Sequence, residues 1–434
     1  MPKLALLGGK PVLKKKFPAN PPYTAIGKEE ERAVSRVMKE KILSGFLANA
    51  GEYFLGGKYV KKLEKLFCRY FKIKYAVSFN SATTALQAAV GALGIGPGDQ
   101  VITTPTTMSA SASCILFNNA VPVFADIKED NFCLSAESIE KNITPRTKAI
   151  LAVNIYGGSA DYSPILKVAR KHNLKIIEDN AQSPGATYKG KFTGTIGDIG
   201  VFSFNVHKVV QCGEGGMLVT NNEKYAFRAQ LIRNHGEAII NDLNQKEPTF
   251  EPILGSNYRL TELGAAIVIE QFKKMESANQ MRIRLADCLT RGLKKINWLI
   301  SARAIKKSRH VYFLYPFRFL SEKIGIKKIT FAKALRAEGF PINENHGMPL
   351  YFFPIYQKKQ CYPNSRFPFI SKEYPQKVNY NYGICPTAEK MYKKELVVTN
   401  ICQQSRRIKD IDLFIKAIKK IEENIEELKK YESR

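Results

Sequence analysis

Short apolar runs and helix-length segments alternate through the first half of the chain. Candidate strands are YAVSF (75–79), DQVITT (99–104), VPVFAD (121–126), KAILAVNIY (148–156), KIIED (175–179), VFSF (201–204) and GMLVT (216–220). Between them, TTALQAAVGAL (83–93), SASASCILFNN (109–119) and YSPILKVARKHN (162–173) have the length and composition of helices. This alternation predicts βαβ units and an α/β fold, with a mostly parallel sheet covered on both faces. Upstream, between about 28 and 70, KEEERAVSRVMKEKI and GKYVKKLEKLFCRYF read as helices around a glycine-bearing loop, SGFLANAGEYFLGG.

The sheet pattern fades near 221. Residues 261–293 read as one long helix that connects two domains, 310–320 as a strand and 329–340 as a helix. Residues 350–386 are rich in Pro, Tyr and Phe, which suggests a packed irregular segment or a substrate loop. The last element places apolar residues at 411, 414, 415, 418, 421, 425 and 428, the spacing of an amphipathic helix packed on its domain. The expected division is a large domain over 1–284, including the N-terminal segment, and a small α+β domain over 285–434.

Composition narrows the class. A chain of 434 residues with 44% hydrophobic and 24% charged residues has the make-up of a globular protein with a sizeable core. No stretch reaches the length of a membrane span, and the short apolar piece at the N-terminus is no signal peptide, so the expectation is a cytoplasmic protein without a membrane partner. The eight cysteines have no CxxC spacing and the five histidines form no ligand-like pair, which argues for reduced thiols and against a metal site. The net charge of +28 raises nucleic acid as a partner. The densest basic run, Lys14–Lys16, is short and not interleaved with aromatics, so most of this charge is read as solvated surface.

Candidate chemistry gathers around Lys208 and Asp179. Asp179 ends an apolar run, where an ionised carboxylate needs a positive partner; an ordinary salt bridge or helix cap would also satisfy it. Lys208 lies in GDIGVFSFNVHKVVQCGEGG (197–216); in a dry site its amine loses its proton more readily and becomes a nucleophile. Ser81, Ala82, Thr83 and Thr84 fall at a strand-to-helix junction, an anion site or a plain N-cap. Ser203 at a strand end reads as a second phosphate contact or a buried serine bonded to backbone, and Gln182 as a ring-oxygen contact or a surface glutamine. His207, in a segment taken as extended, is expected to point away from Lys208 and pack. The GEGG run (213–216) permits close backbone approach or a turn. A lysine, a buried acid and a phosphate cradle together are what pyridoxal 5'-phosphate (PLP) requires.

The order of these pieces resembles the DegT/StrS-type sugar aminotransferases, which have the three-layer αβα PLP-transferase fold. The likeness rests on NSATTAL (80–86), GIGPGDQVITTP (94–105), VPVFADI (121–127), EDNAQ (178–182), GDIGVFSF (197–204), HKVVQCGEGG (207–216), IRNHG (232–236), NYRLTELGAAI (257–267) and CPTAEK (385–390). It implies that Lys208 is the Schiff-base lysine, that Asp179 pairs with the pyridine nitrogen and Gln182 with the ring oxygen, and that Ala82, Thr83 and Ser203 hold the phosphate. It implies a homodimer with shared sites, in which Asn257 reaches the neighbouring subunit's cofactor. The chain keeps lysine where a dehydratase branch has histidine, so transamination is favoured.

Two departures stand out. Thr106-Thr107-Met108 occupies the segment that usually stacks an aromatic ring on PLP, so Met108 would press its thioether there. Pro349-Leu350-Tyr351 stands where relatives often have Pro-Leu-His. The expected reaction moves an amino group from glutamate or glutamine to a nucleotide-linked keto-deoxysugar. LALLGGKPVLKKKFP near the N-terminus resembles the aminocyclitol branch, so a keto-inositol is the alternative acceptor. A PLP-binding regulator without turnover is the alternative from another class.

Overall fold

A computed structural model describes residues 2–14, 17, 25–245, 251–375 and 377–433. Lys15 and Lys16, and with them part of the N-terminal resemblance, lie outside the described residues. Seven strands form the central sheet: β1 (Tyr75–Phe79), β2 (Gln100–Thr103), β3 (Val121–Phe124), β4 (Thr147–Val153), β5 (Lys175–Asp179), β6 (Ile199–Ser203) and β7 (Gly216–Thr220). Their spatial order is β1-β7-β6-β5-β4-β2-β3. The pairings from β6 to β3 are parallel, whereas β7 runs antiparallel to both β1 and β6. The expected mostly parallel sheet is therefore present, and its seven expected strands match observed ones to within two residues at each end, apart from the three-residue overrun of KAILAVNIY into a helical turn; the strand expected over 310–320 begins only at Tyr315. Near-complete burial of β2, β5, β6 and β7 explains their continuous apolar sequences.

Helices α1 (Lys28–Glu40), α2 (Lys58–Phe71), α3 (Ala82–Ala92) and α4 (Ala110–Leu116) cover this sheet together with Tyr162–Lys171 and Glu223–Arg233. The long helix Glu262–Leu293 links two cores. Its first half packs Val268, Phe272 and Met275 against α1, α2 and β6; its second half packs Leu285, Leu289 and Leu293 into a smaller core. That smaller core contains the antiparallel sheet β8 (Leu299–Ser301), β9 (Tyr315–Phe319) and β10 (Leu396–Thr399), with β9 in the middle.

Two segments cross between the cores. Leu4 is buried in the smaller core, and Leu6, Leu7, Val12, Leu13 and Phe17 pack against it. Conversely Tyr351, Tyr356, Phe369 and Tyr380 belong to the large core, where Tyr351, Tyr356 and Tyr380 surround Phe124. The Pro/Tyr/Phe-rich stretch is thus a packed aromatic layer. Tyr351 is fully buried and its hydroxyl bonds Glu389 Oε1 at 2.6 Å, so it holds this layer together.

The C-terminal element differs from the single helix expected. It consists of Ile408–Glu423 and Ile425–Glu432, broken at Asn424. The Asn424 side chain donates to the Lys420 carbonyl at 2.8 Å, a local bond that competes with helical continuation.

Candidate active site

The site forms at the carboxyl ends of β5 and β6. Asp179 is the last residue of β5 and Ser203 the last of β6. Glu178, one residue before Asp179, points to the opposite face and accepts bonds from the amides of Gly194, Ile196 and Gly197. That clamp fixes the strand end and with it the direction of Asp179.

Asp179 is 5% exposed. Its Oδ2 accepts from Ser111 Oγ at 2.7 Å and its Oδ1 from the Ala181 amide at 3.1 Å. Among the described residues no Lys, Arg or His lies within ion-pair distance of it, so neither a salt bridge nor a helix cap accounts for its burial. A buried carboxylate in that state is costly unless a cation comes to it. Ser111 itself is held by Thr107 Oγ1 at 3.0 Å.

Lys208 sits at the end of a tight loop that leaves β6 and returns to β7. Phe204 and Val206 donate backbone bonds to Gly215 and Gly213, and the Lys208 amide closes a turn on Asn205 O at 2.8 Å. Gly213 adopts φ +88°, the left-handed region that favours glycine. His207 is corrected here: it lies in this turn rather than in an extended run, and it is exposed rather than packed. The Lys208 ammonium lies over the Phe313 ring, 4.8 Å from its centroid. Burial lowers the Lys208 pKa, and the Asp179 charge opposes that shift. The Asp179 charge is thus near enough to influence Lys208.

The phosphate candidates also converge. Phe79, Gly216 and Ser203 are aligned across the sheet, because Gly216 pairs with both of the others. This places Ser203 level with the start of α3, where Ser81 caps the Thr84 amide at 3.1 Å. The first amides of a helix have no intrahelical acceptor and carry its positive dipole, so Ala82 and Thr83 present donors there. A Cβ on Gly216 would stand 2.5 Å from Ser81 O and 2.6 Å from Ala82 N; this close approach is why glycine is required. Ser203 Oγ accepts from the Asn205 amide at 3.3 Å and keeps its own proton to donate.

Gln182 is no free surface residue. Its Oε1 accepts from the Tyr156 amide at 2.8 Å, which leaves its NH2 group as the donor. Met108 is 69% exposed at the approach to α4. Asn257 is exposed, its backbone bridges Asn234, and its Oδ1 accepts from Arg259 Nε at 2.8 Å; the carbonyl of its neighbour Tyr258 accepts from the Asn80 amide at 2.8 Å, just before α3.

Ser111, Tyr156, Phe313 and His346 were not found by sequence reasoning. The Tyr156 ring lies 5.3 Å from that of His346. Burial, then the nearby Lys208 charge, lowers the His346 pKa to about 4, so this imidazole is neutral at physiological pH. Ser111 lies in the first turn of α4, and Thr107, which holds it, lies before that helix, so no helical spacing marked the pair. Nothing local marks Phe313 or His346, which come from more than 100 positions away.

The residues present fit PLP: a buried acid awaiting a cation, a dehydrated lysine, an oriented amide donor, and a helix start that a side chain on Gly216 would obstruct.

Residues 38–396 match the DegT/DnrJ/EryC1/StrS aminotransferase family. A GDP-perosamine synthase from Caulobacter vibrioides is 38% identical over 300 residues, covering 68% of this chain and 79% of that protein. A putative L-glutamine:3-amino-2,3-dideoxy-scyllo-inosose aminotransferase from Micromonospora echinospora is 31% identical over 99% of both chains. Among solved structures, an aminotransferase from Psychrobacter cryohalolentis superposes with a TM-score of 0.79 at 27% identity, covering 94% of this chain and 100% of that one. The chain belongs to the DegT/DnrJ/EryC1/StrS aminotransferase family, and it is a PLP-dependent aminotransferase of the three-layer αβα fold.

Proposed function

We propose that this protein transfers an amino group from glutamate or glutamine to a ketone on a nucleotide-linked deoxysugar, with Lys208 as the attachment point for PLP. The observation that carries the reading is Asp179: buried, hydrogen-bonded, without an ion-pair partner among the described residues, and near enough to influence Lys208. When bound, PLP supplies an electron sink whose strength depends on a protonated ring nitrogen. Asp179, oriented by Ser111, holds that proton. Gln182 would donate its NH2 to the ring oxygen, Ala82, Thr83 and Ser203 would hold the phosphate with amide and hydroxyl donors, and Met108 would pack its thioether on the ring. Lys208, whose pKa burial lowers, would serve as the nucleophile and as the carrier of a proton at the reacting carbon.

Asn257 is assigned to a second copy of the chain, where it would donate to the phosphate held by that copy. Its exposure supports this role. The higher identity to the GDP-perosamine synthase favours a nucleotide-linked acceptor. A keto-inositol is the second reading, favoured by the end-to-end alignment with the Micromonospora protein, which includes the N-terminal segment.

The test is a two-stage assay. Glutamine or glutamate should convert the PLP-loaded protein, seen as loss of its visible absorbance, and a keto-sugar or keto-inositol should restore it with formation of the amine. A purified, PLP-loaded protein that responds to neither amino acid refutes the reading.

A further inference from the structure

We propose that the open cavity of about 640 Å³ between the N-terminal segment and the small sheet is the pocket for the acceptor's polyhydroxylated ring, with Asn345 reading its hydroxyls. This rests on the aminotransferase reading above and says where the second substrate lies. Phe17, the stretch Gly339–His346 and Val398–Asn400 enclose the cavity. It adjoins the Lys208 site in two places. Phe313 carries the Lys208 ammonium, and its neighbour Leu314 lines the cavity. His346 lines it too; its ring lies 5.3 Å from that of Tyr156, whose amide donates to Gln182 Oε1 at 2.8 Å. A ketone at the His346 end therefore lies beside the reacting amine, and the rest of the ring extends into the cavity.

The lining chemistry selects an uncharged ring. Among the described lining residues Arg336 is the one Lys or Arg, and Glu344 neutralises it through two bonds of 2.6 and 2.8 Å. His346 is neutral as well. A diphosphate inside this space would find no uncommitted cation, so a nucleotide must extend outside it. Asn345 is exposed, and its amide offers a donor and an acceptor side by side, the complement of neighbouring hydroxyls.

The wall is held in place before any ligand arrives. Asn343 exchanges both backbone bonds with Val398 at 2.9 and 3.0 Å, and its Oδ1 accepts from the Asn345 amide at 2.9 Å. Phe17 is tied by its amide to Gly339 O at 3.1 Å. Such rigidity reduces the ordering cost of binding.

The experiment compares the two half-reactions of the PLP-loaded protein, with glutamine as donor and scyllo-inosose or a GDP-linked keto-deoxyhexose as acceptor. Asn345→Ala should lower kcat/KM for the acceptor about tenfold more than for the donor, the loss of roughly one hydrogen bond. Asn345→Asp, of the same shape, should lower it by at least as much, because it removes the donor and adds a charge. Equal effects on both half-reactions, or no effect on the acceptor, overturn the proposal while the aminotransferase reading stands. A donor half-reaction that runs while neither ketone is taken also overturns it. Failure of the donor half-reaction in the unaltered protein refutes that reading, and this proposal with it.

Discussion

Two opposed influences act on the Lys208 pKa: burial lowers it and the Asp179 charge raises it. Lys208→Ala removes the nucleophile and the proton carrier together. The variant should show neither the visible absorbance of lysine-attached PLP nor any amine transfer; retained turnover would contradict its role. Asp179→Asn keeps the shape and the Ser111 contact but not the charge. It should retain PLP binding measured by absorbance or fluorescence while turnover falls about a hundredfold or more, the range for loss of a positioned acid–base group. A variant with the wild-type rate would exclude Asp179 as the ring-nitrogen partner.

At the scale of elements, buried charge ties the N-terminal segment to the smaller core. Glu338 is fully buried; it accepts from the Ala5 and Val12 amides and from Lys420 Nζ at 2.8 and 2.9 Å. Lys420→Met would leave that carboxylate without its cation, so the protein should lose about 3–5 kcal/mol in denaturant unfolding. Proteolysis should then cut first within residues 2–14. His310 gives a pH dependence. Burial lowers its pKa to about 3, and its Nδ1 accepts from the Tyr312 amide at 2.9 Å, which requires the neutral ring. His346 behaves similarly, at about 4. Below an unfolded-state pKa near 6.5, the unfolded chain takes up protons that the folded chain refuses. Stability should therefore fall as pH drops from about 6.5 towards 4, by at most about 1.4 kcal/mol per pH unit for each histidine. His310→Asn keeps an acceptor without a titrating group and should flatten that fall in thermal melts at stepped pH.

The whole molecule leaves Met38, Ile42, Leu43, Leu47 and Tyr53 exposed along one segment. Leu43 O accepts from the Glu262 amide, and Leu47 O from Asn234 Nδ2; Asn234 in turn pairs with Asn257. The apolar stretch is thus continuous with the surface that carries Asn257. A second copy covering both would place that amide in the neighbouring site. Sedimentation should report a dimer, and Leu43→Lys with Tyr53→Lys should yield monomers with weakened PLP binding. A wild-type monomer with full activity would exclude a shared site.

The strands of the sheet, and the place of Asp179 at its carboxyl edge, were legible in sequence because they rest on local information: runs of apolar residues, glycine punctuation, and a carboxylate where an apolar run ends. The terminal helix was misread at Asn424, where a side-chain bond outweighs apolar spacing. What tertiary structure alone decided is what converges from a distance. The alignment of Phe79, Gly216 and Ser203 turns a plain helix cap into a candidate anion site. Phe313 under Lys208, His346 beside Tyr156, and the N-terminal segment closing a cavity join residues separated by more than 100 positions. Periodicity reports which face of an element is buried, but not which distant side chain will meet it.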